Sequence, residues 1–182
     1  MKSQIRLSGS GGQGLILAGI ILAEAATLKG KQVLQSQSYG PESRGGKSRS
    51  DVIIDDKTIY FAHAVDLDIL LSLTQEAADE YIPMLKNSGI FIYDSENVRI
   101  NPLENEAIGI PFSKIALDEL KTVMAVNIIT LGFIAKITNL ITQKDLENVI
   151  TKKIRKKFVD LDLKAVKLGF KLGKKYLEEE KR

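Results

Sequence analysis

The chain has 182 residues, a net charge of +3 at pH 7 and no cysteine. This length suits one well-buried domain, which we place at residues 1–182, and the composition is typical of a soluble globular protein. Without cysteine the chain cannot ligate an iron–sulfur cluster, form a disulfide or use a thiol nucleophile.

A short strand, a glycine-rich turn and a helix are predicted within residues 4–26. Ile5 and Leu7 indicate the strand, and residues 15–26 are apolar apart from Glu24, which predicts a buried helix. Strand, glycine turn and helix form the context in which a G-x-G-x-x-G pattern has a physical meaning.

The pattern itself consists of Gly9, Gly11 and Gly14, with Gly12 and Gln13 inside it. We expect Gly9 to permit the tight turn, Gly11 to let a bound group approach the backbone, and Gly14 to let helix and strand pack closely. The amides and the dipole at the helix start favour an anion, and phosphate is the natural candidate. A purely structural glycine turn is the alternative.

The second predicted strand, residues 32–37, bears on the identity of this anion. A dinucleotide-binding fold carries an acidic residue about 20 positions after the turn, where it holds the ribose hydroxyls. Residues 32–37 contain no acidic residue. The pattern therefore argues against NAD.

Residues 38–49 are the least regular stretch, with many turn-forming residues, three cations and one acid. Since the stretch leaves the carboxyl end of a strand beside the glycine turn, we expect it to lie over the crevice where open α/β sheets bind ligands. Arg44, beside Gly45 and Gly46, suits a phosphate or carboxylate, because guanidinium offers a planar fork and glycine allows close approach. A mobile surface loop with incidental charges is the alternative.

The middle of the chain alternates between strands and helices. Residues 51–54 and 58–61 flank 55–57 and predict a hairpin with a short loop. Further strands are predicted at residues 68–73, 90–93 and 107–111. Helices are expected to follow Thr74 and Ser113, which are suitable caps. This alternation predicts an α/β fold with a mostly parallel, Rossmann-like sheet, helices on both faces, an inserted β-hairpin and a C-terminal helical segment.

The C-terminal segment is predicted to contain helices only. Residues 123–136 predict a buried helix, shorter than the ~18 apolar residues of a membrane span, in which Asn127 is expected to be a satisfied core amide. A capping box at residues 142–145 predicts the next helix. The last helix carries an apolar seam that can dock onto the domain or onto another chain. The seam consists of Val159, Leu163, Val166, Phe170, Gly173 and Leu177.

The sequence contains no pattern that suggests catalytic or metal-ligating residues. The basic run at residues 152–157 lacks interleaved aromatic residues and is interpreted as a solvated helix face, so no nucleic-acid partner is expected. His63 is the only histidine and is expected to be structural. No stretch resembles a targeting signal, and we expect a cytoplasmic protein without a membrane partner. The sequence thus predicts a binding site, with no catalytic residue and no metal ligand.

Two glycine motifs, at residues 9–14 and 38–46, together resemble those of the gamma subunit of the 2-oxoacid:ferredoxin oxidoreductases. Either motif alone is common, whereas the pair in this order is specific. The likeness continues through residues 65–73 and 94–95, Asn127 with 131–132, and 168–170, and covers almost the whole chain. Asp162 is a departure, since asparagine is expected there in this family, and it affects only a local helix contact.

The resemblance implies one subunit of an enzyme that oxidatively decarboxylates a 2-oxo acid, joins the acyl group to coenzyme A and passes electrons to ferredoxin. It favours 2-oxoglutarate as the substrate, with pyruvate next. Thiamine diphosphate, magnesium and iron–sulfur clusters are expected in sister subunits of the alpha, beta and delta types. Coenzyme A is expected to contact this chain through an anion cradle and a closing loop. The cradle consists of Gly9, Gly11, Gly12, Gln13 and Gly14, and the loop of Tyr39, Arg44, Gly45 and Gly46.

Two alternatives remain open from the sequence. The chain could be a free-standing NADP-binding oxidoreductase that uses Arg44, Lys47 or Arg49 on the 2′-phosphate. It could also be a non-catalytic assembly module whose glycine turn is structural. Tight binding of NADPH by the isolated chain would support the first alternative, and absence of nucleotide binding even in the complex would support the second.

Overall fold

The computed structural model describes residues 2–39, 46–61, 63–101 and 106–181, with the backbone alone at Tyr39. The strands are β1 (Ser3–Ser10), β2 (Gln32–Tyr39), β3 (Lys47–Asp55), β4 (Leu67–Ser72), β5 (Leu85–Asp94) and β6 (Glu106–Ile110). The helices are α1 (Leu15–Leu28), α2 (Gln75–Tyr81), α3 (Phe112–Leu120), α4 (Val126–Thr138), α5 (Gln143–Lys153) and α6 (Lys156–Glu179). A single 3-10 turn, Ile82–Met84, leads from α2 into β5.

The strands form one sheet in the order β2-β3-β1-β4-β5-β6. Strands β1, β4, β5 and β6 pair in parallel, whereas β3 runs antiparallel to both of its neighbours, β1 and β2. The prediction of a mostly parallel sheet with an inserted hairpin is therefore confirmed.

The hairpin, however, is formed by β2 and β3 and not by the segments that the sequence suggested. Residues 58–61, predicted as its second arm, are neither helix nor strand. Asp55 Oδ1 accepts hydrogen bonds from the amides of Asp56 and Lys57 at 2.7 and 3.3 Å, so the predicted turn exists without a second strand behind it. The stretch at 38–49 is also more regular than predicted, because β2 extends to Tyr39 and β3 begins at Lys47.

Apolar cores lie on both faces of the sheet, as the predicted fold requires. On one face, alternate strand residues such as Ile5 and Leu7 join a cluster with α1 and with α3 to α6. On the other face, Ile53 and Leu70 pack with residues of α2. None of the helices in the described ranges combines the length and the apolar character that crossing a membrane requires.

A buried ion pair joins β1 to β3 on the α2 face. The Nε of Arg6 lies 2.7 Å from Asp51 Oδ1, and its Nη2 lies 2.7 Å from Oδ2. The guanidinium also lies 4.7 Å from the centroid of the Tyr81 ring. Because Arg6 and Asp51 are direct neighbours across the two strands, the pair satisfies both charges and fixes the register of β1 on β3.

The C-terminal helices pack onto the domain. The predicted seam of α6 lies against α4, where its members Val166 and Gly173 are buried, and the centre of the buried face also contains Gly169. The predicted capping box is confirmed, since the side chain of Thr142 accepts from the Asp145 amide and Asp145 accepts from the Thr142 amide. Two details of the helix prediction are wrong.

The first wrong detail concerns the start of α3. Its N-cap is Pro111, and Ser113 lies inside the first turn. Instead of capping the helix, Ser113 donates its amide, at 3.1 Å, and its hydroxyl to Oδ2 of the buried Asp94 at the end of β5. The second concerns the α6 seam: the buried residues are Asp162, Ala165, Val166, Gly169 and Gly173, of which only Val166 and Gly173 were predicted.

Candidate functional site

The glycine turn, residues 9–14, lies at a topological switch point of the sheet. Strands β1 and β4 are parallel neighbours, yet α1 follows β1 on one face and α2 follows β4 on the other. Such a switch opens a crevice at the carboxyl ends of the two strands. The amide of Leu73, just after β4, donates to the carbonyl of Ser8 at 2.9 Å and so continues the pairing of β1 with β4 up to the turn. The predicted motif therefore occupies the position at which α/β sheets bind ligands.

The glycines of the turn divide their roles differently from the prediction. Gly12 and Gly14 have φ angles of +93° and +72°, so the turn itself depends on these two residues. Gly9 provides the close helix–strand approach, because a Cβ there would overlap the Gln13 side chain and lie 3.2 Å from Leu15. Gly14 is tightly packed as well, since a Cβ there would lie 2.5 Å from Nδ2 of Asn127.

Several amides of the turn already have protein acceptors. The Ser10 amide donates to Oε1 of Gln13 at 2.7 Å, and the Gln13 amide donates back to the Ser10 carbonyl at 3.3 Å. The Gly11 amide donates to the carbonyl of Gly46 at 2.7 Å. Helix α1 begins without a side-chain cap, and Gly12 is exposed. An anion would therefore meet the Gly12 backbone and the start of α1 rather than the whole turn.

The second glycine motif ends beside the first. Gly46 is buried with its carbonyl on Gly11, and Lys47 lies opposite Ser10 in the pairing of β1 with β3. The backbone of Tyr39 pairs opposite Ser48 at the end of β2. Arg44 and Gly45 lie outside the described residues. The structure thus brings Gly46 together with the glycine turn.

Asn127 is predicted to be a core amide with all of its hydrogen bonds formed. In the structure, only its Nδ2 has a hydrogen-bond partner among the described residues. Its Nδ2 donates to the carbonyl of Gly14 at 2.8 Å, which ties the start of α4 to the start of α1. The side chain is buried, and no described residue donates to its Oδ1. A buried acceptor of this kind is costly unless a ligand or water satisfies it.

A cavity of about 330 Å³ adjoins Asn127 and the first turn of α1. Its apolar wall consists of Leu17, Met124, Ile128, Ile154, Phe158 and Leu161. Its polar groups are Asn127, Lys153, Arg155 and Asp162. Burial raises the pKa of Asp162 to about 6, and Lys153 is paired with Glu24 at 2.7 Å.

Neither this cavity nor the polar lining that Asn127 and Asp162 give it was predicted from the sequence. Two signals pointed to it: an amide inside the apolar run of α4, and an acid on the buried side of the α6 seam. Both place a polar group in a helix face that otherwise packs against the domain, which requires a partner for that group.

Two of the three cations proposed for an NADP phosphate, Lys47 and Arg49, have other partners in the structure, and the third, Arg44, lies outside the described residues. Lys47 Nζ lies 2.7 Å from Glu80 Oε2, and this pairing holds the pKa of Lys47 above its ordinary value. The guanidinium of Arg49 lies 5.6 Å from the centroid of the Tyr81 ring. In addition, β3 separates β2 from β1, so the end of β2 is not adjacent to the glycine turn as in a dinucleotide-binding unit.

His63 is exposed. Within the described ranges, no group of three or more histidine, cysteine, aspartate or glutamate residues is arranged to hold a metal ion. The site that the structure assembles is therefore a backbone turn, a half-satisfied amide and an adjoining cavity with a cationic rim.

Comparison with known proteins identifies close relatives over nearly the full length. The family model described as pyruvate ferredoxin/flavodoxin oxidoreductase matches residues 4–172. The 2-oxoglutarate synthase subunit KorC of Methanocaldococcus jannaschii is 39% identical over 178 residues, which cover 96% of this chain and 95% of the relative. The crystal structure of a keto/oxoacid ferredoxin oxidoreductase gamma subunit from Geobacter sulfurreducens superposes with a TM-score of 0.83 at 40% identity, covering 94% of this chain and 98% of that one.

A longer protein contains the same fold as one part of its chain. The 2-oxoglutarate:ferredoxin oxidoreductase of Magnetococcus marinus, solved with 2-oxoglutarate, coenzyme A and succinyl-CoA bound, matches with a TM-score of 0.85 and 25% identity. The match covers 95% of the present chain and 31% of the Magnetococcus chain.

Proposed function

The chain belongs to the pyruvate ferredoxin/flavodoxin oxidoreductase family, and from this premise we propose that it serves a 2-oxoglutarate-oxidising enzyme as the gamma subunit. The observation that carries the choice of substrate is the 39% identity to a 2-oxoglutarate synthase subunit, with 95% of that subunit covered. The reaction is the oxidative decarboxylation of the 2-oxo acid to an acyl-CoA, with electrons passed to ferredoxin. Residues 1–182 act as a single gamma-type domain within that enzyme.

The division of labour among subunits follows from the residues that this chain offers. With no cysteine, it has no ligands for iron–sulfur clusters, so the clusters belong to sister subunits. Thiamine diphosphate and its magnesium belong to sister subunits as well. The partners are the alpha, beta and delta types of subunit, with ferredoxin reached through the complex, and the assembly works in the cytoplasm.

Coenzyme A is the ligand that this chain is proposed to contact. The backbone of Gly12 and the first amides of α1 suit one of its phosphates, because the helix dipole favours an anion there. The apolar wall of the adjoining cavity suits the uncharged arm of the molecule, and Arg155 suits a second phosphate at the rim. The Asn127 side chain donates a hydrogen bond to the Gly14 carbonyl and thereby positions the start of α1.

Replacement of Arg44 tests the proposed closing loop. In the assembled enzyme, Arg44→Ala should raise the apparent KM for coenzyme A by about tenfold or more, since a charge-assisted hydrogen bond is lost, while kcat at saturating coenzyme A stays unchanged. Lys57→Ala, at an exposed cation in a different loop, is the matched control. A defect in assembly with an unchanged KM would identify the loop as a docking element instead.

Gentle purification from the native host without oxygen tests the function itself. The tagged chain should co-purify with thiamine- and cluster-binding subunits, and the purified complex should oxidise 2-oxoglutarate in a coenzyme A-dependent reaction. Oxidation of pyruvate alone by the same complex would contradict the substrate. A chain that came alone and bound NADPH tightly would contradict the subunit role.

One observation favours the assembly module as a second candidate. Three amides of the glycine turn, those of Ser10, Gly11 and Gln13, already donate to protein acceptors, as a purely structural turn requires. Equilibrium binding of coenzyme A to the purified complex separates the two. Gly12→Ala meets no protein atom within 4 Å but strains the backbone at a φ of +93°, so an affinity unchanged by this substitution would favour the structural turn.

A further inference from the structure

We propose that Tyr60, Phe61 and Val65, here called the aromatic segment, form a surface on which a sister subunit docks. The inference rests on the proposed subunit role. The three side chains are 85%, 78% and 58% exposed, and all three lie within six residues of one another in the chain. Large apolar side chains concentrated in this way on a surface mark an interaction site, whereas single exposed ones do not.

Residues next to these side chains hold the segment against the domain. Ile59 packs against the core on the α2 face, and Ala64 is buried. The Ala64 carbonyl accepts a hydrogen bond from Nη2 of Arg6 at 3.1 Å. The amide of Val65 donates to Oε1 of Gln4 at 3.2 Å. Arg6 is itself fixed by its ion pair with Asp51, so the inward residues are anchored while the aromatic side chains face outward.

This arrangement has the physical properties of a docking site. A segment that is already fixed loses little conformational freedom when a partner binds. Tyrosine is among the residues that contribute most to the stability of protein interfaces. His63 and Asp66 are exposed beside the segment and can form part of the polar rim that surrounds such anchors.

The position of the segment separates docking from ligand binding. Gln4 lies near the beginning of β1, whereas the glycine turn follows its end. The six residue steps along β1 from Gln4 to Ser10 span roughly 20 Å. A partner seated on the aromatic segment therefore leaves the crevice at the carboxyl ends of β1 and β4 accessible.

The Magnetococcus protein indicates what kind of partner this chain needs. There the region matched by the present chain makes up 31% of one polypeptide, so further polypeptide is attached to this domain. In the present protein, the counterpart of that polypeptide belongs to a separate subunit. The chain then needs a non-covalent surface to hold the partner, and the aromatic segment provides exposed apolar area suited to that task.

The test is titration of the purified chain onto the remaining subunits of its enzyme, followed by the regain of coenzyme A-dependent 2-oxoglutarate oxidation. Tyr60→Ser with Phe61→Ser should raise the half-saturating concentration about 30-fold or more. Activity at saturation should equal that of the wild type, because neither residue belongs to the ligand site. The matched control is Leu28→Ser with Leu117→Ser, at side chains that are 58% and 55% exposed, and it should stay within about twofold.

The outcomes distinguish this inference from the proposed function. If the wild-type chain binds no thiamine- or cluster-binding subunit, the proposed function is wrong. If the wild type assembles and the double variant assembles equally well, only the docking surface is wrong. If the double variant instead converts a dimer of this chain to a monomer and binds its sister subunits normally, the segment contacts a second copy, and the inference is overturned. Thermal unfolding of the isolated variants should match the wild type, since the replaced side chains are exposed.

Discussion

Asn127 connects two parts of the chain that are 113 positions apart, through its hydrogen bond to Gly14. The bond reaches the carbonyl at the N-terminal end of α1, where Gly14 adopts a left-handed conformation. The geometry of the helix start therefore depends on a side chain from α4 as well as on the glycines of the turn itself.

Gly14→Ala is expected to lower the free energy of unfolding by about 2–3 kcal/mol. The left-handed φ strains any residue with a Cβ, and the added Cβ would lie 2.5 Å from Asn127 Nδ2, so the hydrogen bond would be lost. Gly30→Ala is the matched control, because Gly30 has a φ of +75° and no atom within 4 Å of an added Cβ. It should cost about 1 kcal/mol. If both variants lost the same free energy of unfolding in urea denaturation, the contact between Gly14 and Asn127 would contribute nothing to stability.

Asp162 makes the stability of the chain depend on pH. Burial raises its pKa from 3.8 to about 6 in the folded state. Folding therefore favours the protonated acid, and stability falls as pH rises from about 4 to about 6 and then remains reduced. Lys153 and Arg155 line the same cavity, and Lys153 is paired with Glu24.

Asp162→Asn should remove this dependence. At pH 8 the variant is expected to be about 1–2 kcal/mol more stable than the wild type, because a neutral amide replaces a buried carboxylate. At pH 4 the difference should disappear, since the acid is then protonated in the folded state. Urea denaturation at the two pH values measures both differences. If the variant and the wild type differed in free energy of unfolding by the same amount at pH 4 and pH 8, the pH dependence would not come from Asp162.

At the scale of elements, the crossing of α4 and α6 depends on small residues. A Cβ at Gly169 would overlap the Ile129 carbonyl oxygen and lie 2.8 Å from the Phe133 amide nitrogen, both of which belong to the backbone. The two helices would have to separate. Gly169→Ala should therefore lower the free energy of unfolding by about 2–3 kcal/mol, although alanine favours the helix itself.

Gly173→Ala, one turn further along α6, provides the control for that measurement. An added Cβ there meets Cβ and Cγ of Lys136, at 2.8 and 2.9 Å, and the Phe133 carbonyl oxygen at 3.2 Å, which are milder contacts than those at Gly169. The gain in helix propensity, about 1 kcal/mol, offsets part of their cost, so Gly173→Ala should lose less stability than Gly169→Ala. If both variants lost equal stability in thermal unfolding, close backbone packing would not be what holds α6 on α4.

The elements that the sequence predicted well are those whose signals are local. The capping box at Thr142 and Asp145 joins residues three positions apart, and the buried helix at 123–136 is an apolar run in which only Asn127 and Thr130 precede Lys136 as polar residues. The hairpin was misplaced because strand pairing is a long-range property. Residues 58–61 have strand-forming side chains, yet Tyr60 and Phe61 are exposed, and β3 pairs instead with β1 and β2.

The candidate site was predicted in part for the same reason. The glycine turn and its place at a strand end follow from spacing within 14 residues. The contact of Gly46 with Gly11, and that of Asn127 with Gly14, join distant positions that no local pattern relates. An arginine in the middle of the apolar strand β1 did signal a buried partner, since a lone buried charge is unstable, but several acids in the chain could have supplied it.

At the scale of the whole molecule, the chain should be inactive by itself. With 2-oxoglutarate, coenzyme A and ferredoxin, the isolated chain should reduce no ferredoxin, because the clusters and the thiamine diphosphate are proposed to reside elsewhere. Addition of the remaining subunits should restore reduction, and those subunits without this chain serve as the control. Turnover by the isolated chain would contradict the division of labour among the subunits.

The place of β1 in the sheet has a consequence for biosynthesis. β1 precedes both of its neighbours in the chain, since these are β3 and β4, which begin at Lys47 and Leu67. Until those residues have left the ribosome, both edges of the central strand are unpaired, and an unpaired apolar strand invites association with other chains. Folding of the sheet therefore has to wait until β4 has emerged, and agents that shield strand edges during translation should increase the yield of native protein.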